Sequence, residues 1–452
     1  MLRTILGLVL LIPLASRPAL AADPSLAAQV DRFLAPLLAT NNFSGTVLVA
    51  NGDRIVFEKG YGAASIEQSV VNGPATVYQI ASVSKPFTSA AVLLLAEQGK
   101  IDLHAPLTRV LPDYPGGAAL TVHHLLSHTS GIPNINDFDD YEDIQRRPHS
   151  PEQLVALFKD KPLEFAPGAR YSYSNSNYNL LALIIEKVAG VEFGAFLDQA
   201  VFHKLGLERT GHHGSMTRII PGASSGYSPA GATGLERATY VDWSVKTGNG
   251  SLYSDAAGIA KFLHATHSGK LLGPASLAAA FTPHTPNVGY GWFLTTANGR
   301  QIHHANGRSP GFAAQADYYV KDGVSVVVLS NTYVSVATDI ARAVGAMYFG
   351  EPVKPMPALK PDRLTPAQAS RLEGRYQFGP DYYVPNALMT IRSRDGHLET
   401  VVEDYVFPLV QITPSQFLLR SFWVPANFTI GPNGRATELV IDGRKGVRIA
   451  SR

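Results

Sequence analysis

The chain has 452 residues, 45% of them hydrophobic and 16% charged, and carries a net charge of +2 at neutral pH. That balance excludes long disorder and, with no basic run or basic-aromatic patch, excludes nucleic acid as a partner. The absence of cysteine removes disulfides, thiolate metal sites and a cysteine nucleophile. The length exceeds one typical domain and predicts two or three.

In chain order, Met1-Leu2-Arg3, an apolar stretch over 5–15 and Ala19-Leu20-Ala21 read as a secretory signal cleaved after Ala21. The run is too short for a stable bilayer anchor and no later segment reaches about 18 uninterrupted apolar residues, so a periplasmic or secreted protein without a membrane span is expected. Helical spacing over 26–38 is followed by a β-rich run over 43–50, a turn at Asn51-Gly52 and a partner strand over 55–57. An apolar helix beyond Phe87 ends at Gly99. Further helices are predicted over 151–158 with Ser150 as N-cap, 178–188 ending at Gly190, and 193–205.

Strands return over 290–294, 301–304, 313–319 and 324–329, then a helix over 339–347. Strands first and last with helices between imply an α+β domain: one antiparallel sheet completed by both ends, flanked by helices. Residues 351–364 have the proline-rich composition of a linker. Beyond it, turns at Asp395-Gly396 and Asn433-Gly434 separate short alternating runs, predicting a small all-β, barrel-like domain over 365–452. Tyr382, Tyr383, Phe417, Phe422 and Trp423 are expected to fill that barrel rather than to line a ligand cavity.

Three segments carry chemistry. In Ser82-Val83-Ser84-Lys85 a serine precedes a lysine by three residues, one turn of a helix, so the amine can reach the hydroxyl. Lysine serves as the base only where burial or nearby positive charge lowers its pKa, and the apolar run after Pro86 supplies burial. A second segment, Tyr171-Ser-Tyr173-Ser-Asn175, can point a phenol and an amide into one cleft, or can simply cap the following helix. A third, His303-His304-Ala305-Asn306-Gly307-Arg308-Ser309-Pro310-Gly311-Phe312, offers small residues against which a substrate can lie along a strand edge. The pairs His123-His124, His212-His213 and His303-His304, and the four-residue spacing of His124 and His128, lack a completing carboxylate; no metal and no cofactor are expected.

Together these segments resemble the serine hydrolases of the class C β-lactamase and penicillin-binding-protein group, which includes D,D-carboxypeptidases, D-aminopeptidases and family VIII carboxylesterases. The resemblance spans residues 30 to 350 through Phe43-Ser-Gly-Thr-Val-Leu-Val, Ala81-Ser-Val-Ser-Lys-Pro-Phe-Thr88, Leu125-Leu-Ser-His-Thr-Ser-Gly-Ile-Pro133, Tyr173-Ser-Asn175, Gly250-Ser-Leu-Tyr-Ser254 and Pro310-Gly-Phe312. The tail resembles the lipocalin-like appendage of some members. The implied organisation is a signal over 1–21, a β-lactamase/transpeptidase-like hydrolase domain over 22–350, the linker and the β domain.

The resemblance implies that Ser82 is the acylated nucleophile, Lys85 its proton acceptor and Tyr173 the group that passes the proton to the leaving group. Asn175 would hold the substrate amide and Lys85, and the backbone N–H groups of Ser82 and Arg308 would hold the oxyanion. The third motif departs from the family. Ala305 stands where the group carries Lys or His before Asn306-Gly307, and His304 is one residue early, facing away unless the strand bulges. Without that cation a β-lactam or D,D-peptide carboxylate loses its partner, unless Arg308 or a bulged His304 supplies the charge. The expected substrate is therefore a D-amino-acid-containing peptide or an ester. A class C-type β-lactamase and a carboxylesterase stay open, as does a non-catalytic penicillin sensor or peptidoglycan-binding protein. Oligomeric state is not readable.

Overall fold

The computed structural model describes residues 24–450 apart from 335, 358, 403 and 404; the expected signal lies outside the described residues. β1 (Gly45–Asn51) turns at Gly52, with φ of +59°, into β2 (Arg54–Tyr61). About half of the chain separates these from β3 (Phe293–Ala297), β4 (Arg300–Ser309), β5 (Phe312–Tyr319) and β6 (Val324–Ser330). One six-stranded antiparallel sheet results, in the order β3-β4-β5-β6-β1-β2, with β1 against β6 from Gly45↔Ser330 to Asn51↔Val324.

Alternation along each strand decides what covers each face. Val47, Val49, Val326 and Val328 pack under α1 (Pro24–Ala39), and Leu48, Val327 and Leu329 face the helical region. The nearly unbroken valine run of β6 follows, because both of its faces are covered and all its residues are buried. In the helical region α2 (Lys85–Glu97) is buried from Lys85 to Leu95, and α3 (Asn175–Ala189), stopped by Gly190 at φ +72°, lies beside it. Helix α4 (Ala256–His267) packs on the same face as these two, and α5 (Ala337–Tyr348) joins α1 on the other.

Two element boundaries differ from expectation. Residues 193–205 form no single α-helix, since a wide π turn, Asp198–Phe202, separates Phe193–Leu197 from His203–Leu205. The strand expected over 290–294 begins only at Phe293. Tyr290 and Trp292 are buried from a loop, with Gly291 at φ +80° and so close to α2 that a Cβ would lie 2.6 Å from Ser89 Oγ.

The C-terminal strands β7 (Gly374–Phe378), β8 (Leu388–Arg394), β9 (His397–Val402), β10 (Tyr405–Thr413), β11 (Gln416–Leu419), β12 (Val424–Ile430), β13 (Ala436–Ile441) and β14 (Arg444–Ile449) close into an eight-stranded antiparallel barrel. Its interior is packed with side chains, among them Tyr376, Phe378, Phe417 and Phe428. Of the other aromatics expected inside, Tyr382 packs against that core, but Tyr383 is exposed and Phe422 is 38% exposed. Trp423 is buried in the core shared with α1 and α5. The turn 420–423 leads out of the barrel, so its side chains serve the neighbouring unit.

Arg420 makes that junction. Fully buried, it donates from Nε to Asn42 Oδ1 at 2.7 Å, from Nη1 to the carbonyls of Ala230, Gly231 and Gly234, and from Nη2 to those of Thr40 and Asn41. Carbonyl dipoles rather than a carboxylate offset its desolvation; burial lowers its pKa to about 10, which leaves it charged at neutral pH.

Candidate active site

The turn Ala81–Ser84 delivers Ser82 directly ahead of α2. Ala81 takes φ of +47°, a conformation that costs a non-glycine residue about 1 to 3 kcal/mol. Lys85, one turn on, has its Nζ 3.0 Å from Ser82 Oγ and donates to Asn175 Oδ1 at 2.8 Å and to the Asn249 carbonyl at 2.9 Å. Tyr173 OH is 2.9 Å from Ser82 Oγ. The residues expected to act together, Ser82, Lys85, Tyr173 and Asn175, thus converge.

The electrostatics favour a neutral amine. Lys85 is 3% exposed, and burial, with the charge of Lys246 second, holds its pKa well below the ordinary lysine value. Asn175 Oδ1 and the Asn249 carbonyl can only accept, so an uncharged Lys85 spends both hydrogens on them and turns its lone pair to Ser82. Burial pushes the Tyr173 phenol up, opposed by its bond to Ser82, so Tyr173 rests protonated. The His128 ring lies beside Tyr173, tilted by 31° with ring centroids 4.5 Å apart. Burial holds its imidazole well below the ordinary histidine range and so keeps it neutral. Its Nδ1 accepts from Ser174 N–H, which leaves the proton on Nε2.

Several supports carried no recognisable sequence signal. Asn136 Oδ1 accepts from Asn175 Nδ2 at 2.7 Å, and Asn134 Oδ1 from the Asn175 N–H at 2.9 Å. These bonds fix which end of the Asn175 amide faces Lys85. The Asn249 carbonyl arrives because Gly248 lets its segment press on α3: a Cβ there would sit 2.1 Å from the Tyr178 carbonyl. Lys246 is buried in the same segment and donates to Tyr141 OH at 3.1 Å. The Asn134-Ile-Asn136 pair after Pro133 was the one side-chain pattern in the sequence that could have pointed to this support.

The third segment forms the other wall. Strand β3 pairs with β4 only as far as Phe293↔His304, leaving the outer edge of β4 open from Ala305 onward. Gly307 lies so close to the nucleophile's turn that a Cβ would stand 2.4 Å from the Ile80 carbonyl and 2.8 Å from Ser82 N. Two recesses meet at Ser82. The smaller, a narrow recess, is lined by Lys85, Tyr173, Trp292, Phe293, Ala305 and Asn306 among others. The larger, open and about 830 Å³, is lined by Tyr173, Asn175, Gly307, Arg308, Ala337 and Thr338 among others.

Neither alternative cation reaches the position of Ala305. The β4–β5 ladder runs without a bulge from Ile302↔Tyr319 to Ser309↔Phe312, so His304 points to the sheet face away from Ala305. There it meets Gln315 at 3.3 Å, and burial, aided by Arg342, depresses its pKa to about 3, leaving it uncharged. The expectation of His304 as a substrate-binding residue is corrected accordingly. The Arg308 guanidinium is also committed elsewhere. It donates to the Ser421 carbonyl at 2.7 Å and lies over the rings of Tyr333 and Phe422.

The family profile described as Beta-lactamase matches residues 30–347. Penicillin-binding protein 4* of Bacillus subtilis (strain 168) is 27% identical over 418 residues, which is 86% of this chain and 91% of that protein. The crystal structure of a penicillin-binding protein from Bacillus halodurans superposes with a TM-score of 0.62 at 28% identity, covering 70% of this chain and 98% of its own. That of a D-amino acid amidase from Ochrobactrum anthropi SV3 gives a TM-score of 0.64 at 21% identity over 72% of this chain and 99% of its own, a likeness of fold.

Proposed function

The chain belongs to the beta-lactamase family and is a serine hydrolase, and we propose that it cleaves an uncharged amide or ester next to a D-configured residue through an acyl-enzyme on Ser82. The observation that carries this reading is the bonding of Ser82 Oγ to both the buried Lys85 amine and the Tyr173 phenol.

In the first half-reaction Ser82 Oγ attacks the carbonyl carbon while its proton passes to the Lys85 lone pair. The developing oxyanion is held by the backbone N–H groups of Ser82 and Arg308, each such donor contributing about 3 kcal/mol in the transition state. On collapse, Tyr173 gives its proton to the leaving nitrogen or oxygen and regains one from the Lys85 ammonium. Water then adds to the acyl carbon and loses its proton to the same pair, and Ser82 Oγ departs with a proton returned. Asn175 keeps the Lys85 lone pair aimed and offers its amide to the substrate.

The substrate class follows from what Ala305 cannot do. A buried methyl group cannot pair with a carboxylate, and His304 and the Arg308 guanidinium are turned elsewhere. This disfavours penicillins and terminal D-alanine acids and favours amides and esters without a charge at that point; the shared fold of a D-amino acid amidase supports the D-configured amide. We further propose export after cleavage at Ala21, with a catalytic unit over 22–350, a linker over 351–364 and a barrel unit over 365–452. No helix among the described residues is long and apolar enough to cross a membrane.

Paired D- and L-aminoacyl 4-nitroanilides test the reading. Higher kcat/KM for the D series, lost in Ser82→Ala, supports it. A preference for L substrates removes the D-amide assignment, and turnover of benzylpenicillin above either series moves the protein to the β-lactamases.

A further inference from the structure

Aromatic side chains of the barrel run between two segments that border or support the larger recess. Arg308, on one rim, lies 4.5 Å from the Phe422 ring centroid; Phe422 meets Phe407 edge to face at 5.0 Å; Phe407 stacks on Tyr405 at 6.3 Å. Tyr405 OH then donates to Glu142 Oε1 at 3.1 Å. Glu142 lies in the short helix Tyr141–Ile144, which follows the loop whose Asn134 and Asn136 hold Asn175 on the opposite rim. Three consecutive aromatic rings from the barrel end therefore link the strand beside the oxyanion to the loop behind the catalytic amide.

We propose that Tyr405, Phe407 and Phe422 form a specificity surface for an apolar acyl group of the substrate, an inference that rests on the acyl-enzyme reading above. Three observations carry it. Phe422 and Tyr405 keep 38% and 49% of their surface in the open although the barrel has its own packed core. The rings are held in place rather than free: the turn bearing Phe422 is locked by the buried Arg420 and by the Ser421 carbonyl on Arg308. Phe422 also lies under the guanidinium of Arg308, a residue that lines the recess starting at Ser82.

The acyl portion is assigned because it must stay through both half-reactions, whereas the leaving group has to depart midway. Aromatic faces bind such a group through apolar area, without demanding charge or hydrogen bonds.

The experiment uses 4-nitrophenyl esters, which hold the leaving group constant while the acyl chain changes, on the full mature chain and its Phe422→Ser and Tyr405→Ser variants. The proposal expects the kcat/KM ratio of octanoate to acetate to fall about tenfold in each variant, through loss of roughly 1.4 kcal/mol of apolar contact. A ratio within about twofold of the parent's in both variants overturns the surface, including the case in which both esters decline together. If the parent shows no Ser82-dependent hydrolysis of either ester, the acyl-enzyme reading fails first and takes this inference with it.

Discussion

Lys85 Nζ and Asn175 Oδ1 lie 2.8 Å apart, and because Asn175 Nδ2 is bonded to Asn136, the oxygen of that amide is the end that faces the amine. The relationship matters for direction as well as contact. An obligate acceptor on one side and the Asn249 carbonyl on another leave the Lys85 lone pair only Ser82 to face.

Replacing that acceptor therefore changes the base. Asn175→Ala is expected to lower kcat about 100-fold, the scale of a misdirected general base. Asn175→Asp sets a carboxylate against Lys85, stabilises its ammonium and shifts the acid limb of the kcat/KM profile to higher pH. An acid limb in the same place as the parent's would show that Lys85 protonation does not govern it.

Lys246 supplies the second cause of the depressed Lys85 pKa. Lys85 works as a base only when neutral, so activity disappears as pH falls through its pKa. Lys246→Met removes the repelling charge, raises the Lys85 pKa and moves the acid limb upward. Stopped-time assays across pH with an uncharged ester read this directly; a limb moving to lower pH would reverse the sign of the argument.

Ala305→Lys restores a cation beside the open edge of β4. Benzylpenicillin acylation should rise at least about tenfold relative to hydrolysis of an uncharged ester, the value of roughly one charge-assisted hydrogen bond. Intact mass against time measures it. Equal acylation by parent and variant would place the carboxylate elsewhere.

Arg420→Met removes the donor from the carbonyls of Thr40, Asn41, Ala230, Gly231 and Gly234, all across the junction from the barrel. Leaving several of them without a donor is expected to cost about 3 kcal/mol and to lower the thermal midpoint by several degrees. Limited proteolysis should then cut between 351 and 364 more readily than in the parent. Unchanged unfolding and cleavage would mean that Trp423 and the aromatic contacts hold the barrel alone.

Local relationships were readable in the sequence. Ser82 and Lys85 are one turn apart, Ser150 caps the helix that starts at Pro151, and the turn at Asp395-Gly396 lies between paired strands, whereas the turn expected at Asn51-Gly52 falls one residue later, at Gly52-Asp53. Strict alternation predicted that His304 would face away, and the unbroken ladder has it so. Other parts of the site depend on tertiary contacts with no residue-type signature. The Asn249 carbonyl is a backbone group, Lys246 stands in none of the sequence motifs, and Arg420 reveals its role only through the loops that surround it. Trp423 was misplaced for a related reason: aromatic character marks a side chain as one that packs, without telling which of two neighbouring cores receives it.

The most direct measurement is to label the protein with a fluorophosphonate, map the adduct by peptide mass and follow ester hydrolysis in the same sample. The account predicts one adduct, on the peptide carrying Ser82, with hydrolysis lost in proportion to labelling and both absent in Ser82→Ala. Labelling and turnover that persist in Ser82→Ala would contradict it.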